Sequence, residues 1–281
     1  MEKQAVDTQE PSVDALIDRV LALTAGDDDA RVEQVAALHI LGDSRVYAKA
    51  RALLQSASAR ERILGADILG QLGTPQGRPF IEETFVALRE LCAREQDPDV
   101  LGAVVVAFGH LADGRALRDV LRYSENENAG LRQSVAFALP SLIDEKDEGA
   151  AGAAVVALVT LTGDAEEEVR DWATFGLAQL QADSTQVRDA LVRRLADESP
   201  DVAGEALVGL ARRGDRRGRE TVRRRLADAD ADLFVLEAAT ELHDAGLLPL
   251  LKALETSGWE PDGPESRLLR DAIEQYGSSH A

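Results

Sequence analysis

Cysteine is almost absent from this chain of 281 residues, which contains only Cys92. A disulfide within the chain and a cysteine-based metal site are therefore both excluded. Aromatic residues are also scarce, at 4%, and the hydrophobic 45% consists mostly of alanine, leucine and valine. Such small aliphatic side chains favour a thin, closely packed core, as in helices stacked in layers.

A long hydrophobic run is missing as well. The longest apolar stretch, residues 150–161, is interrupted by Gly152 and Thr160 and is too short to cross a membrane. Residues 1–10 are polar and lack the apolar segment of a signal peptide. We therefore expect a cytoplasmic protein that does not contact membranes.

Lysine is rare too, with 4 residues against 27 arginines, and the formal net charge is −20. This charge has two interpretations. It favours a basic partner and disfavours nucleic acid and anionic membranes. Alternatively, abundant aspartate with little lysine is typical of adaptation to a salty cytoplasm, where salt would screen the charge.

A weak pattern recurs along most of the chain. The position held by Leu177 in the segment 169–180 is repeated at residues 38, 69, 108, 139, 177, 210 and 239, with a mean spacing of about 33 residues. In each copy the apolar positions fall on one stripe of a helix. Several copies end in a glycine–aspartate turn, such as Gly214-Asp215, and a second apolar-periodic helix follows. Glycine stops one helix there, and aspartate caps the next.

The pattern Asp-Pro-Asp-Val…Ala…Leu-Gly-x-Leu-Gly-Asp-x-Arg resembles HEAT repeats of the phycobilisome-lyase type, over about residues 27–254. The resemblance implies an all-α, right-handed α-solenoid of about seven helix pairs with a capping helix at each end. We expect a single domain over residues 12–281, with the C-terminal cap at 265–276, after a disordered tail at 1–11. The repeats begin near residues 30, 61, 100, 131, 169, 202 and 231. Such repeats occur in scaffolds, lyases, hydroxylases and glycosylases alike, so activity does not follow from them.

No motif for metal or calcium chemistry is found. HEAT-like di-iron hydroxylases carry paired His-Glu dipeptides, whereas none of the four histidines here precedes a glutamate. His39, His110 and His243 also occupy different repeat positions, which predicts partly buried side chains rather than a stacked ligand set. The run Asp228-x-Asp230-x-Asp232 lacks the glycine and the final glutamate of a calcium loop, so we interpret its acids as helix caps.

No candidate nucleophile is found either. Cys92 lies in an apolar-periodic helix without a neighbouring histidine, which favours a core cysteine. The sequence also lacks a Gly-rich phosphate loop and a Gly-x-Ser-x-Gly motif. We therefore predict no enzyme activity and no cofactor.

One basic cluster stands out. Residues 188–225 contain 11 arginines against 7 acids, and the second helices of HEAT pairs line the concave face, where we expect this cluster to lie. The arginines either pair with acids of neighbouring repeats or bind an acidic segment or a phosphate; nucleic acid is disfavoured. The predicted partner-binding residues are Arg45, Arg118, Arg122, Arg188, Arg217 and Arg224.

These features favour a non-catalytic scaffold that binds another protein on its concave face through many moderate contacts. Two alternatives stay open. One is a lyase-like or chaperone-like accessory protein that handles a tetrapyrrole-type chromophore, as the family resemblance implies. The other is an acidic immunity or inhibitor protein that masks a basic partner.

Overall fold

A computed structural model describes residues 12–24, 27–74, 77–144, 148–257, 259 and 264–278. The predicted tail at residues 1–11 lies outside this range. Throughout the described residues the secondary structure is α-helical, with short 3₁₀ turns and no strand, which confirms the predicted all-α class. None of the described helices combines the length and apolarity that a membrane crossing requires.

Seven helices carry the repeated pattern and are called the motif helices. They are α2 (Asp28–Leu41), α4 (Ala59–Gln71), α6 (Pro98–Leu111), α8 (Ala129–Leu142), α10 (Glu167–Gln179), α12 (Pro200–Arg212) and α14 (Leu233–Glu241). The connecting helices are α3 (Ser44–Leu53), α5 (Ile81–Arg94), α7 (Leu117–Leu121), α9 (Glu148–Leu161), α11 (Thr185–Arg194), α13 (Arg216–Ala227) and α15 (Leu248–Thr256). The predicted terminal caps are α1 (Val13–Ala22) and α16 (Glu265–Ser278).

Short polar side chains start these helices, as the sequence predicts. Asp43 accepts hydrogen bonds from the amides of Arg45 and Val46 at the start of α3, and Ser12, Asp97, Asp215 and Asp232 cap α1, α6, α13 and α14 in the same way. Each cap satisfies amides that the first helical turn leaves without partners. In the run 228–232 only Asp232 has this role; Asp228 follows the end of α13 and Asp230 pairs with Arg225, so the interpretation of these acids as helix caps is wrong for two of the three.

The described helices form two compact units, with the boundary between Ala116 and Leu117. In the first unit α4 packs along α6; in the second, α8, α10, α12 and α14 pack in succession. Gly209 of α12 shows why the motif helices approach so closely. A Cβ atom placed there would lie 2.8 Å from the Cβ atom of Ala178 on α10, so only glycine fits at that contact.

Packing also determines how the helices pair. Through much of the chain a motif helix contacts the helix before it more extensively than the helix after it: α3 packs on α4, α5 on α6, α9 on α10 and α11 on α12. The motif helix is thus the second member of its pair, whereas the sequence-based order made it the first. Which helices line the concave face stays a prediction.

An arginine near the start of three motif helices ties consecutive turns together. Arg170 donates to the carbonyl oxygens of Asp164 and Ala165, both at 3.0 Å, and pairs with Asp197 in the next inter-helix turn, at 3.0 and 3.1 Å. Arg62 and Arg132 make the equivalent contacts with the carbonyls six and five residues back and with Glu95 and Asp164. Because each guanidinium bridges two turns, the same fork geometry recurs along the stack.

Candidate functional site

Two of the predicted arginines converge on one buried carboxylate. Arg188 and Arg217 lie 3.3 and 2.9 Å from Asp215 Oδ2, and Arg217 also contacts Asp189 at 2.8 Å. The side-chain hydrogen bond from Arg217 is the main reason why the pKa of Asp215 lies far below its usual range. The guanidinium groups of Arg188 and Arg217 therefore pair with acids of the same chain. This agrees with the first of the two sequence-based interpretations, in which the arginines pair with acids of neighbouring repeats.

The other predicted arginines do not join them in one site. Arg45 lies in the first unit and pairs with Asp43 at 2.6 Å. Arg122 stacks over the ring of Tyr123, with its guanidinium carbon 4.7 Å from the centroid. Arg118 and Arg224 are exposed on α7 and α13. A shared partner-binding role for the six arginines stays a prediction.

The motif helices of the second unit present a different feature, a cluster of aromatic rings. Trp172 of α10 contacts Phe137 of α8 edge to face, with centroids 5.0 Å apart, and contacts Phe175 at 6.0 Å. Phe175 remains 39% exposed, although it is a large apolar side chain. In a chain with only 4% aromatics, a partly uncovered cluster of this kind marks a surface suited to binding.

Acidic side chains lie on the adjacent turns and helices. Asp171 precedes Trp172 on α10, and Glu205 lies on α12; both are half-buried, and neither has an ion-pair partner among the described residues. Burial, followed by repulsion from Glu237 and Asp171, raises the pKa of Glu205 to about 7. Burial and repulsion from Asp201 likewise raise the pKa of Asp171. The four carboxylates of Asp171, Asp201, Glu205 and Glu237, together with the aromatic cluster, form what we call the aromatic–acidic face.

A single arginine partly offsets this charge. Arg212, at the end of α12, contacts Glu237 and Glu241 of α14, each at 2.9 Å. Its guanidinium is therefore directed to α14: it attracts Glu205 electrostatically but makes no ion pair with Glu205 or Asp171. The face offers a ligand both negative charge and the faces of aromatic rings. A cation can pair with the carboxylates and also stack on a ring.

The recurring pattern did not reveal this face, because the pattern lies in the buried stripe of each repeat. The residues of the face occupy the fourth, seventh and eleventh positions of the copies, which lie between the stripe positions and are buried in some copies, as at Leu64 and Val208. In the α8 and α10 copies these include Phe137, Trp172 and Phe175, and in the α12 and α14 copies Glu205 and Glu237. Comparing those three positions across the copies is the signal that could have found the face.

Glu205 makes the face sensitive to pH. Its folded-state pKa of about 7 is above the ordinary value of 4.5, so its contribution to stability is fully present below pH 4.5 and is lost as the pH rises through 7. We predict that Glu205→Gln removes this loss. After allowance for solvent screening, the variant should be more stable by about 1 kcal/mol at pH 8 and nearly equal to the natural chain at pH 5.

Urea unfolding of both proteins at the two pH values checks this expectation. Glu198→Gln, on the exposed turn before α12, is the matched control, because it removes the same charge without the burial. An equal gain from both variants at pH 8 would show that total charge, rather than the environment of Glu205, is responsible.

His39 and His110 are partly buried, as predicted, whereas His243 is exposed and the prediction is wrong for it. His39 of α2 and His110 of α6 line the same cavity although they occupy different repeat positions. Within the described part of the chain, no three His, Cys, Asp or Glu side chains are grouped closely enough to hold a metal ion. Cys92 is buried, as predicted for a core cysteine.

Repeat geometry and known proteins agree on the class of fold. A family model described as HEAT repeats matches residues 155–243, so this segment carries HEAT repeats and the predicted resemblance is confirmed. The helices of the described residues, seven motif helices with a further helix at each end, agree with the predicted α-solenoid class. HEAT and armadillo-like folds are typical of protein-interaction scaffolds and are generally not enzymes.

Protein YibA from Escherichia coli (strain K12) is 32% identical over 129 residues, which are 46% of this chain and 44% of YibA. The sequence match thus spans less than half of YibA. Its crystal structure covers 96% of this chain and 98% of YibA with a TM-score of 0.64 at 21% identity, which is a likeness of fold. The complex of CpcE and CpcF of phycocyanin lyase from Nostoc sp. PCC7120 is less similar, with a TM-score of 0.45 at 21% identity over 59% of this chain and 99% of that chain.

Proposed function

We propose that this protein is a non-catalytic interaction module whose aromatic–acidic face binds a basic segment of a partner protein. A scaffold role agrees with the repeat fold. Of the sequence-based alternatives, the proposal is closest to an acidic protein that masks a basic partner. It places the contact on the motif helices α8, α10, α12 and α14 instead of on the arginine-bearing α13.

The observation that carries the proposal is that neither Asp171 nor Glu205 makes an ion pair within the described residues, although both are half-buried. A half-buried carboxylate that is not paired costs free energy, either as an uncompensated charge or through a raised pKa. A lysine or arginine from a partner supplies the missing charge and removes this cost. Binding then lowers the pKa of Glu205 and releases a proton, so the affinity should rise between pH 6 and pH 8.

The aromatic cluster adds a second reason to expect a cation. A guanidinium or ammonium group over the face of an aromatic ring gains about 0.5–2 kcal/mol. Trp172 and Phe175 lie on the same helix as Asp171, one residue and one turn away respectively. An arginine side chain can thus contact ring and carboxylate together, which surface charge alone does not provide.

The net charge of −20 contributes to the encounter with such a partner. It accelerates the approach of basic molecules at low salt and makes association sensitive to ionic strength. It also opposes binding of nucleic acid, whose phosphates carry the same sign. Because this long-range effect acts on any basic molecule, an experiment must separate it from the local site.

We predict that an octa-arginine peptide binds this face and changes the fluorescence of Trp172, measured in a Trp259→Phe background that leaves Trp172 as the only tryptophan. The double variant Asp171→Asn/Glu205→Gln should weaken binding by about thirtyfold, because two partly desolvated charge contacts are lost at about 1 kcal/mol each. Trp172→Phe, measured by calorimetry, tests the contribution of the larger ring.

The matched control is Glu198→Gln/Asp228→Asn. Both residues are exposed in the second unit, and the control changes the net charge by the same amount away from the face. It should weaken binding less than twofold. Equal losses from the two double variants would mean that the peptide responds only to total charge, and the proposed site would be wrong.

A further inference from the structure

A cavity of about 310 Å³ lies between α2, α4 and α6 of the first unit. Its walls are apolar side chains, among them Val35, Ala36 and Val106. Gly70 sets the spacing of α4 and α6, because a Cβ atom there would lie 2.9 Å from the Cα atom of Ala107. The cavity volume is at the lower end of the range for small-molecule sites, and the aromatic–acidic face in the second unit contributes nothing to it.

The polar groups at the cavity are largely satisfied among themselves. Arg31 pairs with Asp67, and His39 Nε2 lies 3.0 Å from the carbonyl oxygen of Asp67. Gln71 Nε2 lies 3.4 Å from His110 Nε2. The one acid and the one arginine among the lining residues neutralise each other. Arg78, which donates to the carbonyl oxygen of His110, adds a positive charge beside the cavity.

Burial is the main cause of a lowered pKa for both His39 and His110, so both rings are neutral at pH 7. The contact of His39 Nε2 with a carbonyl oxygen requires the proton on Nε2, because a carbonyl can only accept. The Nδ1 atom of His39 then carries a lone pair. A donating Gln71 amide, by contrast, occupies the lone pair of His110 Nε2. The cavity thus offers one further hydrogen-bond acceptor, Nδ1 of the neutral His39 ring, between apolar walls.

Apolar surface at the cavity is available for a ligand to cover. Val32 lines the cavity and is 68% exposed. Covering such a side chain removes apolar area from water, which is favourable. A charged ligand gains no unpaired counter-ion among the lining residues and loses its hydration. The matching ligand has a flat apolar body and one neutral donor.

We propose that this cavity binds a neutral phenol-type group, whose ring contacts the valines and whose hydroxyl donates to Nδ1 of His39. A phenol is a stronger donor than an aliphatic alcohol and remains uncharged at pH 7. Two sources have this chemistry: a free phenolic molecule and the tyrosine side chain of a protein. The proposal is independent of the proposed function.

The test uses three probes of nearly equal shape: para-cresol, its methyl ether and para-toluate. The histidine ring signals of the full chain are followed by NMR during titration. We expect para-cresol to shift the signals of His39 and His110 and to bind about tenfold more tightly than the ether, which lacks the donor. The toluate anion should bind at least tenfold more weakly than the cresol.

Two valine variants locate the binding. Val106→Trp fills the cavity and should abolish the shifts. Val86→Trp places the same side chain on an exposed position of α5, outside the cavity, and should leave them unchanged. If Val106→Trp fails to fold, the ranking of the three probes on the natural chain still decides the question.

N-acetyltyrosinamide distinguishes the two sources. Binding as tight as that of para-cresol indicates that the cavity admits a tyrosine side chain, and much weaker binding indicates a free small molecule. The proposal is overturned if para-toluate binds as tightly as para-cresol, if the ether binds equally well, or if neither histidine signal moves at the solubility limit of the cresol.

Discussion

Replacing Arg170 with leucine is expected to lower the free energy of unfolding by about 3 kcal/mol, because it leaves a buried carboxylate and two carbonyl groups without their donor. The side chain of Arg170 is 15% exposed, and that of its partner Asp197 is only 3% exposed. Arg194 still pairs with Asp197 at 2.9 Å, which places the effect at the low end for a broken buried ion pair. The carbonyls of Asp164 and Ala165 lose their hydrogen bonds outright.

The measurement is urea unfolding followed by the fluorescence of Trp172, two residues along the same helix, in the Trp259→Phe background. Arg193→Leu on α11 is the matched control, since Arg193 is exposed, and it should change the unfolding free energy by less than about 0.5 kcal/mol. Similar effects of the two variants would show that the arginine bridge between the turns does not stabilise the stack.

Replacing Gly209 with leucine should destabilise the chain by about 3 kcal/mol through overpacking. A Cβ atom there lies 2.8 Å from Ala178 Cβ, 3.1 Å from Ala178 Cα and 3.1 Å from Leu191 Cδ1. Two of these atoms, Cα and Cβ of Ala178, are fixed by the backbone, so a change of side-chain rotamer cannot relieve the contact. The helices α10 and α12 must separate, and the small gain in helix propensity over glycine does not compensate.

Gly152→Leu on α9 is the control for this substitution. A Cβ atom at Gly152 meets nothing within 4 Å, so the same change should be neutral or slightly stabilising, by up to about 1 kcal/mol. Thermal and urea unfolding of both variants provide the comparison. A stable Gly209→Leu protein would mean that the spacing of the motif helices is not fixed by this contact.

The two proposed sites use the same positions of the repeat in different ways. In the first unit the positions between the buried stripes carry Ala36, Asp67, Val106 and His110, and they line a partly open cavity. In the second unit they carry Phe137, Trp172, Phe175 and Glu205, and they form an open surface with unpaired negative charge. Because the buried stripe and the arginine bridges between turns maintain the stack, these positions can differ between copies, and specificity resides in them.

What the sequence determined by itself is the local part of the architecture. The recurrence of Leu177-like positions, the glycine stops and the aspartate caps depend on contacts within a few residues, so they predict the seven motif helices, the terminal helices α1 and α16 and the buried cysteine. The excess of arginine and aspartate also indicated internal pairing, and Asp215 with Arg188 and Arg217 shows where it occurs.

Only the tertiary structure decided which helix pairs with which and which side chains meet. The sequence cannot tell whether a motif helix packs on the helix before or after it, because both connections are short and both neighbours are apolar on one side. The meeting of His39 with His110, and of Asp171 with Glu205, depends on helices more than thirty residues apart in sequence. Their pKa values are set by burial and by charges on adjacent helices, and these arise only when the motif helices pack side by side.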